Sequence, residues 1–209
     1  MKKVLVLSPH SDDELFGVGG TLLRHKKNKD EIFGLLLCNR GKEYVKEYKN
    51  GMRQMGAQKL FLEQYPDCKF ETYPVKDLAD SIMRVIDEIR PDRIYVPAVS
   101  IHQDHKAVND ACLVCFRPTS PFIPKEILEY ENPTYEFGIG RGFNPRYFVD
   151  ISEFIKEKQR IYGKHYSSHS NKPDEHPLSA KSIELLAECR GRQCGTAYAE
   201  AFQILKVVE

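Results

Sequence analysis

Lys3-Val4-Leu5-Val6-Leu7-Ser8-Pro9-His10-Ser11-Asp12-Asp13-Glu14, running on into Leu15-Phe16-Gly17-Val18-Gly19-Gly20, is the stretch that decides the fold. Residues 3–7 form a short, nearly continuous apolar run, the pattern of a strand buried on both faces. Residues 15–27 have helical composition and open on three glycines. Between the two, one imidazole and three carboxylates stand at the carboxyl end of the strand. Open α/β sheets bind ligands in the crevice at that end, and acids this close together are costly unless a cation or ligand compensates them. A divalent metal is the simplest compensation.

Outward from that stretch the elements alternate. Apolar runs predict strands over 32–38, 59–62, 93–97, 127–130, 147–151 and 201–208. Helical spacing predicts helices over 15–27, 43–55, 77–89 and 107–116, then one capped by Ser152 and running to 162, and one capped by Ser179 and running towards 192. Residues 167–177 are polar and predict a surface loop. The order implies an α/β fold, a Rossmann-like layer sandwich with a mostly parallel central sheet, in one domain over residues 1–209.

Composition narrows the partners. The 209 residues carry 31 basic and 30 acidic side chains, a net charge of +1, so no global field recruits nucleic acid or an anionic membrane. No apolar run approaches the roughly 20 residues of a spanning helix, and residues 1–8 pass straight into a strand without a signal core. The expectation is a cytoplasmic protein with no membrane insertion. Its six cysteines are scattered, and the one C-x-x-C, Cys112 to Cys115, lies in an apolar stretch that predicts a turn of buried helix. His25, between Arg24 and Lys26-Lys27, is expected at a solvated helix end, and Glu200 as a buried, paired acid near the last strand.

A second charged cluster, His102-Gln103-Asp104-His105, follows the strand at 93–97, about ninety residues after the first, and βα loops of one sheet edge converge in this way. Together the clusters offer His10, Asp12, Asp13, His102, Asp104 and His105. Zinc hydrolases take about three protein ligands from His and carboxylate and leave a position for water, so acids and bases remain over for hydrolysis.

At these residues the chain resembles the LmbE-like or PIG-L family of zinc-dependent N-deacetylases, which act on N-acetylglucosaminyl conjugates. The family signature is a strand, His-Pro-Asp-Asp-Glu, a Gly-rich helix start, and later His-x-Asp-His. Here these stand as Pro9-His10-Ser11-Asp12-Asp13-Glu14 with Gly17-Val18-Gly19-Gly20, and as His102-Gln103-Asp104-His105. Arg90-Pro91-Asp92, Phe143-Asn144-Pro145 through Ser152, and Tyr198-Ala199-Glu200-Ala201-Phe202 are also similar. The resemblance implies one zinc per chain, or another divalent metal such as Fe2+, held by His10, Asp13 and His105. It implies Asp12 as general base and His102 as the group that polarises or protonates the reacting centre, with Asp104 orienting His102. Asp67 falls where the family places a sugar-binding acid. Two departures stand out: Ser11 replaces the usual proline, and Tyr44 stands where a substrate-reaching Arg is common, leaving Arg40 and Arg53 as candidates for that contact. Arg141, in the later glycine-rich loop, is a candidate for an anionic aglycone.

The implied function is metal-dependent removal of an N-acetyl group from a small-molecule N-acetylated sugar conjugate, with homo-oligomerisation left open. The alternatives are a carbohydrate-binding or regulatory protein with an inactive metal site, and a different metal-dependent amidohydrolase. Other readings fail on named residues. A dinucleotide site lacks its third glycine at Leu22, a dinuclear H-x-H-x-D-H site lacks its first histidine at Ser100, and a glycosidase pair leaves the histidines without a role.

Overall fold

The computed structural model describes residues 1–133 and 142–209, without the side chains of residues 168 and 169. Strand β1 (Lys3–Ser8) lies inside a seven-stranded sheet, flanked by β2 (Glu31–Cys38) and β4 (Arg93–Pro97), both parallel to it. β3 (Ala57–Tyr65) extends the sheet beyond β2, and β5 (Glu126–Tyr130) extends it beyond β4, again in parallel. β7 (Ala199–Val207) runs antiparallel between β5 and β6 (Tyr147–Asp150), giving the order β3-β2-β1-β4-β5-β7-β6.

β1 shows why both faces are covered. Val4 and Val6 point into one core and Leu5 and Leu7 into the other, all without exposure. Full burial of such a side chain contributes about 1.5–3 kcal/mol. The first core packs helices α1 (Asp13–Lys27), α2 (Lys42–Gln54), α5 (Ile155–His165) and α7 (Ala180–Cys194) on the sheet, and the second packs α3 (Val75–Ile89) and α4 (Gln103–Cys115). The chain leaves β1 towards β2 on one side and β4 lies on the other, so strand order reverses at β1. Such a switch point opens a crevice at the carboxyl ends of the strands.

The glycines of α1 serve packing. A Cβ on Gly17 would lie 2.2 Å from the Tyr130 ring and 2.8 Å from the Glu131 carbonyl, and one on Gly20 would lie 2.8 Å from Ile151. Close approach of helix to sheet, not a phosphate cradle, explains the motif.

A buried ion pair is built into the same helix. Lys158 Nζ donates to the Phe16 carbonyl at 2.8 Å and to Glu200 at 2.7 Å, while Glu200 accepts from the backbone N–H of Gly20 and of Thr21, each at 2.7 Å. Phe16 and Gly20 are the acceptor and donor of one helical i to i−4 step, so the pair from α5 and β7 is bonded to both sides of it. Glu200 is thus the buried, paired acid expected.

Several expectations need correction. α1 and α4 begin at Asp13 and Gln103, not at 15 and 107, because acidic residues are favoured in a first turn although they break the apolar pattern. β3 spans nine residues rather than four. Ser152 does not cap α5. Phe154 occupies the cap position, and the Ser152 hydroxyl bonds Asp150 instead. Within 167–177, Ser167–Ser170 form a short helix, α6. His25 is buried, bonded to Asp30 at 2.7 Å and to the Tyr95 hydroxyl at 3.0 Å, so its neighbours' charges did not describe its own face of the helix. Cys112 and Cys115 are buried on α4 as expected, and Ser179 caps α7 by accepting from Ser182 N–H.

Candidate metal centre and active site

The two clusters meet at the switch point. The turn after β1 carries His10, with Asp12 at the cap position of α1 and Asp13 in its first turn. The turn after β4 ends at His102, which caps α4, and Asp104 and His105 follow in that helix. His10, Asp12, Asp13, Asp104 and His105 are all nearly excluded from solvent, and His102 is half-buried. Asp12 makes no side-chain capping bond, which removes the plain helix-cap explanation for that carboxylate.

Three ligand-type atoms form a near-equilateral triangle. His10 Nδ1 lies 3.3 Å from Asp13 Oδ2, His105 Nε2 lies 3.2 Å from the same oxygen, and the two imidazole nitrogens are 3.3 Å apart. A tetrahedral centre with bonds of about 2.0–2.2 Å sets its ligand atoms about 3.3–3.6 Å apart, so this triangle fits one face of a zinc tetrahedron. Surrounding bonds fix two of the three donors, Asp13 and His10. The His10 backbone N–H and the Asn132 amide donate to the Asp13 carboxylate, each within 2.8 Å. Asp104 Oδ2 lies 3.0 Å from His10 Nε2, an arrangement that holds the proton there and leaves Nδ1 its lone pair.

That last contact corrects the expected pairing of Asp104 with His102. The Asp104 carboxylate turns to His10 and accepts from the backbone N–H of Cys68 and Phe70, while only its own N–H reaches His102, donating to Nδ1 at 3.2 Å. With Nδ1 accepting, the proton of a neutral His102 ring sits on Nε2. Burial lowers the His102 pKa, and the nearby His10 and His105 push the same way, so the neutral form is favoured. The His102 ring centroid stands 4.7 Å from that of His10 and 5.2 Å from that of His105, close to the triangle and outside it.

The electrostatics match a site short of positive charge. Burial alone would lower the His10 pKa, but bonds with Asp104, Asp13 and Asp67 outweigh it and raise it well above the ordinary value. Burial would likewise raise Asp13, yet the charge of His105 and bonds from both imidazoles hold it well below the carboxylate range. Hydrogen bonding to His10, then to Arg40, lowers Asp67. A carboxylate surplus that draws protons onto imidazoles is one that a divalent cation compensates.

Of the substrate candidates, Asp67 is at the site, 3.3 Å from His10 Nε2 and 2.5 Å from the Arg40 guanidinium, which also donates to the Tyr44 hydroxyl. Arg53 is exposed in the last turn of α2, lining a groove of about 580 Å³ with Asn39, Lys46 and Leu62, whereas Arg40 reaches the cluster through Asp67. Arg141 lies outside the described residues. Asn132, just past the end of β5, escaped notice in the sequence. Its signal was its place at a strand end facing the same crevice.

Glu14, the last motif carboxyl, is fully buried and accepts from the Tyr166 hydroxyl at 2.6 Å. Burial pushes its pKa up to about 8 from the ordinary 4.5. A folded pKa above the unfolded one gives stability that is complete below the unfolded value and is lost as pH rises through the folded value. Metal-free protein is therefore expected to lose resistance to urea from about pH 5 to about pH 8, and Glu14→Gln should flatten that slope. Equal slopes in the two proteins would rule out a neutral Glu14.

The chain is similar to several known proteins. The diacetylchitobiose deacetylase of Thermococcus kodakarensis is 24% identical over 227 residues, covering 98% of this chain and 84% of the relative. The probable N-acetyl-alpha-D-glucosaminyl L-malate deacetylase 2 of Bacillus cereus is 30% identical over 129 residues, 53% of this chain and 59% of the relative. Among solved structures, the N,N'-diacetylchitobiose deacetylase of Pyrococcus horikoshii with its inhibitor superposes with a TM-score of 0.79 at 20% identity, covering 98% of this chain and 84% of the other, which shows a common fold. Residues 5–116, more than half of the chain and holding both charged clusters, match the family model PIG-L: GlcNAc-PI de-N-acetylase, and the chain belongs to that family.

Proposed function

We propose that this protein is a zinc-dependent N-deacetylase that hydrolyses the acetamide of an N-acetylglucosamine-type conjugate to acetate and a free amine. The observation that carries the reading is the triangle of His10, Asp13 and His105 with sides of 3.2 to 3.3 Å, beside the buried Asp12. Family membership supports the same chemistry.

Zinc held by those three ligands would supply Lewis acidity, polarising the amide carbonyl and lowering the pKa of a water. Asp12 takes the proton of the attacking water as general base. His102, with its proton on Nε2, donates to the carbonyl oxygen as negative charge develops there. As the C–N bond breaks, the nitrogen takes a proton from Asp12 or His102 and leaves as the amine. Asp104 acts through His10, fixing the tautomer of a ligand. Asp67 and Arg40, paired at the rim, would receive sugar hydroxyls.

The reading takes the chain as one catalytic domain working in the cytoplasm on a small-molecule conjugate, with no nucleic acid as partner and no membrane insertion. Among the described residues no helix is long and apolar enough to cross a membrane. The test is acetate and amine release from a panel of N-acetylglucosaminides by zinc-loaded protein. Equal amounts of both products from at least one substrate are expected. Stoichiometric metal with no amide hydrolysed would favour the alternative of an inactive carbohydrate-binding site.

A further inference from the structure

His10 divides the charged cluster in two. Its Nδ1 faces Asp13 and His105, while its Nε2 faces Asp104 at 3.0 Å and Asp67 at 3.3 Å. On this second side lies Cys68, an exposed thiol that the reaction above does not use. We propose that this side is a second cation site, for a thiophilic divalent ion such as zinc, anchored on Cys68 Sγ and His102 Nε2 with the Asp67 carboxylate beside them, and that filling it silences the enzyme.

The donor set and its spacing support this. Cys68 Sγ and His102 Nε2 are 3.8 Å apart. A tetrahedral zinc with a sulfur bond of about 2.3 Å and a nitrogen bond of about 2.0–2.1 Å sets those atoms about 3.6 Å apart, within reach of a small rotation of an exposed thiol. Asp67, on the same side, brings a carboxylate oxygen within 4.8 Å of Cys68 Sγ. Thiolate, imidazole and carboxylate together favour zinc over magnesium or calcium.

The backbone that carries the thiol is held in place. Cys68 has a left-handed backbone, φ 54°, fixed by its N–H donating to Asp104 at 2.8 Å and its carbonyl accepting from Gln103 Nε2 at 2.5 Å. His102 Nδ1 accepts from the Asp104 N–H, so it is Nε2 that meets the sulfur. Binding displaces the thiol proton to solvent and forms the Cys68 sulfur–metal bond. It also converts His102 Nε2 from a proton donor into a ligand. Inhibition therefore rests on the proposed role of His102, whereas occupation of the site does not.

The test uses the full chain loaded with one equivalent of zinc and then given excess zinc. Iodoacetamide labelling, mapped by mass spectrometry, should slow at Cys68 by about tenfold or more once the second ion binds, while the exposed Cys189 and Cys194 keep their rates. Equilibrium dialysis should find two bound zinc ions in the wild type and one in Cys68→Ala. Excess zinc should inhibit acetate release by the wild type, and Cys68→Ala should require about tenfold more zinc or beyond for the same inhibition. Unchanged Cys68 labelling, or two ions in Cys68→Ala, would overturn the proposal. If no protein releases acetate, the deacetylase reading fails, and the labelling and stoichiometry still decide the second site.

Discussion

Asp12→Ala is expected to keep its metal and lose turnover by about 10² to 10⁴ fold, the usual contribution of a positioned general base. Its neighbour Asp13→Ala should behave in the opposite order, losing metal first and activity as a consequence. The contrast comes from geometry. Asp13 Oδ2 lies within 3.3 Å of both His10 Nδ1 and His105 Nε2, and its other oxygen accepts from Asn132, so its removal opens the triangle. Asp12 lies outside that triangle at the helix cap position. Zinc content by atomic absorption, read beside kcat and KM, separates the two variants. A zinc-free Asp12→Ala, or a fully loaded Asp13→Ala, would reverse the assigned roles.

Glu200→Ala is expected to destabilise the protein by about 3–5 kcal/mol, the cost of leaving a buried charge without its partner. Lys158, only 2% exposed, would keep its ammonium without that partner, and the N–H groups of Gly20 and Thr21 would lose their acceptor. Lys158→Met should cost less, because it removes the charge and retains the apolar stem. The double variant should fall short of the sum of the two singles, since both remove the same interaction. Urea unfolding of the zinc-loaded proteins measures all three. A loss below about 1 kcal/mol for Glu200→Ala would mean that water or a rearranged helix replaces the pair.

The frame of this structure was legible because its strongest signals are local. Val4 to Leu7 declares a strand, and the acids at its end mark the crevice. His102 to His105 repeat the pattern one strand over. Which imidazole Asp104 would serve was not legible, since spacing within one motif says nothing about a ring arriving from another strand end. His10 comes to Asp104 across 94 residues of sequence. Asn132 and Cys68 were missed for the same reason: each sits in an unremarkable loop, and only the closing of the sheet brings it to the site. His25 failed differently. Three basic neighbours suggested solvent, but a helix turns each successive residue by about 100°, and His25 faces Tyr95 in the sheet.

The ion pair in α1 also bears on the order in which the molecule can be made. Glu200 leaves the ribosome 180 residues after Gly20, the helix position it binds. The helix α1, with the His10 turn before it, is therefore synthesised well before the carboxylate that anchors it. Contacts of such long range form slowly, because loop closure must precede any gain. Residues 3–116 can therefore collapse around β1 on the nascent chain, but the triangle of His10, Asp13 and His105 beside a rigid helix awaits the docking of β7. In a chain that emerges from its amino end, this crevice is encoded long before the residue that steadies it arrives.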